Sequence, residues 1–133
     1  MTSHKRVVEA TQRRPAPKVQ EIRVRVIHDE DPDTSYLDQD DEFADRRAEF
    51  ERGDFAFVGV RAEADVVIEG VTQTLTSGGL WGIESDSGDE YIEETALEEY
   101  DSLRDILKAV GVSTTQVPVG TRETIKPLIK WEA

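Results

Sequence analysis

The sequence predicts an α+β fold, in which a small antiparallel sheet (a hairpin over 55–76 plus a strand over 20–28) packs against a C-terminal acidic amphipathic helix over 88–110. Three observations lead there. Between Val58 and Ile68 every even position is apolar, while Arg61, Glu63 and Asp65 occupy odd positions, which is the period of a strand with one buried face. Ile22, Val24 and Val26 alternate with Arg23 and Arg25 in the same way. Ile92, Ala96, Tyr100, Leu103, Leu107 and Val110 recur at the three-and-four spacing of a helix face, reinforced by Leu97 and Ile106.

Taken in order, residues 1–18 combine basic charge with Pro15 and Pro17 and show no periodicity, as expected of a flexible arm. A single domain is expected over 19–112. Its first strand leads into an Asp-rich loop, His28 to Glu42, broken by Pro32. Phe43, Arg47 and Phe50 then predict a short helix that Gly53 ends. Glu69-Gly70 suits a two-residue hairpin turn with positive φ. The resulting register pairs Ile68 with Val71, Val66 with Gln73 and Ala64 with Leu75 on the buried face. On the other face it pairs Val67 with Thr72, Asp65 with Thr74 and Glu63 with Thr76. Ser77-Gly78-Gly79 reads as a tight turn before the apolar run Leu80 to Ile83. Ser87-Gly88-Asp89-Glu90 reads as a capping box opening the acidic helix, and Gly111 as its left-handed stop. The tail, 113–133, is expected to be extended or partly docked, with Trp131 arguing for docking. The shared core is predicted to contain Val60, Ala62, Val66, Ile68, Leu75, Leu103 and Leu107.

Composition narrows the chemistry. The 133 residues are 37% hydrophobic and 34% charged, in keeping with one modest core. With no cysteine, the chain has no disulfide, thiolate zinc site, thiol nucleophile or iron–sulfur ligand. Lack of a long apolar run predicts no membrane span, and the basic start running into Val7-Val8-Glu9 does not resemble a signal peptide, so a cytoplasmic site is expected. The net charge of −13 is concentrated: residues 29–54 hold twelve acidic side chains against three basic, and residues 84–105 ten against one. Such blocks repel phosphates and anionic lipid and attract basic protein surfaces.

Residues 53–88 resemble an uncharacterised family of small acidic proteins from bacteria, phages and other mobile elements. The resemblance rests on Arg61-Ala62-Glu63-Ala64 and on the stretch Thr76-Ser77-Gly78-Gly79-Leu80-Trp81-Gly82-Ile83-Glu84-Ser85-Asp86-Ser87. It extends weakly back over Asp29 to Leu37 and forward through the acidic helix. In that family the loop after the Ser-Tyr-Leu stretch is usually longer and rich in aromatics, whereas here it is short. The resemblance implies mobile-element origin and no activity.

No catalytic constellation emerges. Asp29, Asp31 and Asp33 have the spacing of EF-hand ligands, but Thr34 stands where that loop needs Gly, Asp40 where it needs Glu, and Pro32 interrupts it, so a solvated loop is expected. His28 has only His4 as an imidazole companion, which does not make a zinc site. The serines lie in neither Gly-x-Ser-x-Gly nor Ser-x-x-Lys, and Ser77-Gly78-Gly79 lacks the Lys-Ser/Thr ending of a P-loop. Trp81, beside Leu80 and Ile83, is expected to pack inward rather than serve as a contact residue. Arg23 and Arg25, on the wet face, can meet Glu63 or Asp65 if the first strand lies beside the hairpin.

The leading expectation is therefore a non-enzymatic acidic protein without cofactor or metal, presenting a phosphate-like field to a basic host protein as a DNA mimic or inhibitor would. Glu94, Glu98, Asp101, Asp105 and Trp81 are its candidate partner-binding residues. Direct nucleic-acid or membrane binding is not expected, and homo-oligomerisation is left open. The alternatives are a structural or assembly component of a mobile element, working through the hairpin edge and Trp81, and an enzyme using carboxylates with a divalent metal.

Overall fold

A computed structural model describes residues 15–133. Five strands form one sheet: β1 (Lys18–His28), β2 (Phe57–Ile68), β3 (Val71–Thr76), β4 (Leu80–Glu84) and β5 (Ile129–Trp131). Between β1 and β2 lie two 3₁₀ turns and the helix α1 (Ala44–Glu51); after β4 come α2 (Asp89–Ala109) and the short α3 (Arg122–Ile125). The fold is α+β.

β2 is the central strand. β1 pairs antiparallel along nearly its whole length, from Lys18 opposite Val67 to His28 opposite Val58. The other edge of β2 is shared in succession by β3, opposite residues 63–68, and β4, opposite residues 57–60. The β2–β3 hairpin has the predicted register, pair by pair, from Ile68–Val71 to Glu63–Thr76. Its turn places Glu69 at φ 50° and Gly70 at φ 80°, the doubly left-handed geometry whose twist matches the flanking strands.

The period-two pattern separates two faces. On one, Val24, Val26, Val58, Val60, Ala62, Ala64 and Val66 are buried against Ile92, Ala96, Tyr100, Leu103 and Leu107 of α2, with Ile68 and Leu75 partly buried at the margin. The predicted helix–sheet core is thus present. On the opposite face Phe57 joins Phe55, Leu37, Tyr36 and Phe50 in a smaller aromatic cluster formed by the segment around α1.

Four expectations are corrected. The sheet is mixed rather than antiparallel, because β5 runs parallel to β1 with Val24 opposite Ile129 and Val26 opposite Trp131. It follows that α2 is not the last element: the chain returns across Tyr100, whose hydroxyl donates to the Pro118 carbonyl at 2.7 Å, and buries Val117 and Ile125. The capping box at Ser87 does not form. Gly88 is the N-cap, at φ 100°, and the Ser87 hydroxyl donates instead to the Glu84 carbonyl at 2.6 Å, closing the turn after β4. Val110 is 40% exposed, because the helix has ended by then and Gly111, at φ 95°, turns the chain away.

Of the basic arm expected over 1–18, residues 1–14 lie outside the described residues. Lys18 opens β1, and the Pro17 carbonyl accepts from Gln116 Nε2 at 3.0 Å. Among the described residues no helix is long and apolar enough to cross a membrane.

Leu103 is fully buried and Val110 exposed, so the pair separates packing from propensity. Leu103→Ala should cost about 2–5 kcal/mol and Val110→Ala no more than about 0.5 kcal/mol. Urea unfolding of the two variants checks this, and equal costs would disprove the packing described.

Candidate functional site

The outer sheet face, opposite α2, is organised by the odd positions of β2. Glu63 is only 3% exposed although it lies on the wet side. Three guanidiniums cover it: Arg23 Nε donates at 3.0 Å, Arg25 Nη1 at 3.1 Å and Arg61 Nε at 2.9 Å. Arg23 also reaches Asp65 at 2.8 Å, Thr74 donates to Asp65 at 2.7 Å, and Arg25 pairs with Glu132 beyond β5. The contact of Arg23 and Arg25 with Glu63 and Asp65 was legible in the alternation; the contributions of Arg61 and Glu132 were not, since the second needs β5 beside β1.

Burial pushes the Glu63 carboxyl upward, but the hydrogen bonds from Arg61, Arg25 and Arg23 outweigh it and hold the group below its ordinary value of 4.5. Asp65 is held low by Arg23 and Thr74, and Glu132 by Arg25. A depressed carboxyl stabilises the fold above its unfolded pKa, and that contribution disappears as pH falls through the folded value.

Next to this lattice lies Trp81. It does not enter the core: a two-residue excursion, Trp81-Gly82, stands opposite the single residue Gly59, with Leu80 opposite Val60 and Ile83 opposite Val58. This bulge, with Gly82 at φ 74°, leaves the odd residue on the outer face. The indole lies on the Gly59 backbone, where a Cβ would come within 2.2 Å of Trp81 Cε3, and remains 42% exposed. The inward expectation is therefore corrected, and Asp29 secures the bulge by accepting from Gly82 N at 3.0 Å.

Ser77-Gly78-Gly79, the turn between β3 and β4, is held from α2. One Glu99 oxygen accepts from both Ser77 Oγ and Gly79 N at 2.8 Å, and Ser77 Oγ accepts from Ala62 N at 3.0 Å. The serine hydroxyl is thereby committed to joining helix and sheet edge. Around the loop, Asp29 and Asp33 accept hydrogen bonds from nearby backbone amides, Asp31 N and Ser35 N, in local turns. No group of three or more His, Asp or Glu is arranged to hold a metal among the described residues.

Glu94, Glu98, Asp101 and Asp105 are all exposed on the outer side of α2, and none forms an ion pair among the described residues. With Tyr91 they make one stripe at spacings of three and four, and Tyr91 borders an open groove of about 300 Å³ walled also by Tyr36, Leu80 and Trp81. The acidic positions and Trp81, named separately from the sequence, thus lie on neighbouring surfaces. Beside the groove Arg46 bridges Glu49, Glu84 and Asp86 and lies 3.7 Å over the Phe55 ring. Burial, and then the Glu84 hydrogen bond, push the Tyr36 hydroxyl up to about 12, so it remains a donor to Glu84 at neutral pH.

Two outcomes check this geometry. Glu63→Gln should lower stability at neutral pH by about 1–3 kcal/mol and flatten its decline below pH 4.5; unfolding curves at pH 7 and pH 3 that parallel wild type would contradict the arginine lattice. Gly59→Ala should dislodge the indole, seen as greater quenching of tryptophan emission by acrylamide, while Gly78→Ala, with open space around it, should not.

Comparison with protein-family models, with curated proteins and with solved structures finds no match.

Proposed function

We propose that this is a non-enzymatic acidic binding protein that captures a basic protein surface by presenting carboxylates in place of nucleic-acid phosphates. The observation that carries the reading is the exposed stripe Glu94, Glu98, Asp101 and Asp105 on α2, which forms no ion pair among the described residues. Over its span of about 16 Å it holds four negative charges, where one DNA strand would hold about five. Most of the arginines sit in specific pairs elsewhere, on the outer sheet face and around Arg46, and so do not neutralise the stripe. Mobile-element origin, implied by the resemblance of residues 53–88, accords with an inhibitor of a host DNA-binding protein.

The second reading, an assembly component, draws on β3. That strand pairs only with β2 among the described residues, and it exposes Val71, Thr72, Gln73 and Thr74 along an open edge.

Salt separates the two. A carboxylate-driven complex should form at low salt, weaken steeply as salt rises and be released by added duplex DNA. The triple reversal Glu94→Lys, Glu98→Lys and Asp101→Lys should fold as wild type does, since all three side chains are exposed, and should lose the captured proteins. Pull-downs from bacterial lysate at two salt concentrations provide the test. Identical capture by wild type and the reversal would leave the stripe as a solubility device and favour assembly.

A further inference from the structure

The groove beside the acidic stripe has a composition unlike the rest of the surface. Leu80, Trp81 and Tyr91 are 40%, 42% and 44% exposed and border one depression of about 300 Å³ with Tyr36. That volume accommodates one bulky side chain. The floor is built rather than incidental: the Trp81 ring is seated on Gly59, Gly82 is tied to Asp29, and the preceding turn is tied to Glu99. Ordered aromatic walls lose little conformational entropy when a ligand group enters.

Charge identifies the occupant. Glu84 stands at the groove's rim, the one cation paired with it among the described residues, Arg46, is already shared among Glu49, Glu84 and Asp86, and Glu94 opens the acidic stripe three residues beyond Tyr91. A second copy of this chain would bring its own −13 net charge against that rim. A basic segment meets no such penalty. From Tyr91 to Asp105 the stripe advances about 21 Å, which an extended chain covers in six to seven residues.

We propose that the groove formed by Tyr36, Leu80, Trp81 and Tyr91 is an anchor site for one large apolar side chain of a basic protein segment, whose following cations lie along Glu94, Glu98, Asp101 and Asp105. The inference rests on the acidic-binding reading and adds an apolar determinant to it. Charge then supplies encounter and orientation, and the anchor supplies residence time. Of the three aromatic walls, Tyr91 is the best one to remove, because it lies on the outer side of α2, whereas Trp81 also closes over the sheet and Tyr36 packs in the aromatic cluster and donates to Glu84.

The test is calorimetric titration of the full chain with a synthetic twelve-residue lysine–glycine peptide carrying one phenylalanine near one end, and with its alanine counterpart. The phenylalanine peptide should bind about tenfold more tightly to wild type. In Tyr91→Ala the advantage should shrink to about threefold or less, with the alanine peptide unaffected. Trp81 emission should shift only with the phenylalanine peptide, and Trp131→Phe keeps that signal assignable. Equal affinity of the two peptides for wild type would overturn the anchor and leave the acidic-binding reading standing. Failure of both to bind at low salt would remove that reading and the anchor with it. Tighter peptide binding after Lys5, Arg6, Val7 and Val8 are replaced by serine would make the chain's own arm the occupant and overturn the external partner.

Discussion

Every part of this molecule answers to the need to cover both faces and both edges of β2. The even positions of that strand, Val58 to Val66, are apolar and demand the helix α2, and a single amphipathic helix is wide enough to supply that cover. The odd positions make three different demands. Phe57 requires the aromatic cluster around α1, Gly59 offers bare backbone that only a flat ring can fill closely, and Glu63 requires guanidiniums. A carboxylate at 3% exposure has lost most of its water, and three charge-assisted donors replace it. Beyond the part covered by the segment around α1, the outer face is therefore ordered by side-chain chemistry.

The edge of β2 explains the most distinctive stretch of the sequence. One continuous strand could have paired with all of β2, but the chain interrupts itself at Ser77-Gly78-Gly79 and bulges again at Trp81-Gly82. The first interruption leaves backbone and hydroxyl groups that Glu99 and Ala62 satisfy. The second turns an aromatic side chain outward. Together they tie α2 to the same sheet edge that displays Trp81, so the helix surface and the indole keep a fixed relation. Backbone geometry and these hydrogen bonds thus account for the serine and glycines of this stretch.

Electrostatics follow the same division. Arginine is used where carboxylates must be brought close to one another or under partial cover: Arg23, Arg25 and Arg61 at Glu63, and Arg46 among Glu49, Glu84 and Asp86. The planar, multiply donating guanidinium suits that bridging better than an ammonium. Glu93 on α2 is likewise drawn to Arg122 and Lys126 from the returning tail. What remains on the outer side of α2 is a set of carboxylates facing water, whose mutual repulsion costs some stability and extends a negative field toward solvent.

The sequence alone determined the elements whose signal is local and periodic. The even-numbered run from Val58 to Ile68, the Glu69-Gly70 turn and the spacing from Ile92 to Leu107 were sufficient for the hairpin register, the helix and their shared core, because side-chain period and turn stereochemistry are properties of neighbouring residues. The acidic face of α2 was legible for the same reason. Tertiary structure alone decided the rest. No periodicity marks Ile129 to Trp131 as a strand, and its parallel place beside β1 exists only because the tail can cross Tyr100 and bury Ile125. Ser87 matched a capping pattern, yet its hydroxyl found the closer carbonyl of Glu84. Trp81 has the hydrophobicity of a core residue, but its side was set by a bulge opposite Gly59, and the groove it forms with Tyr36 and Tyr91 joins residues 55 positions apart in the chain. Long-range placement depends on which surfaces remain uncovered after the local elements form, and that is a property of the assembled sheet.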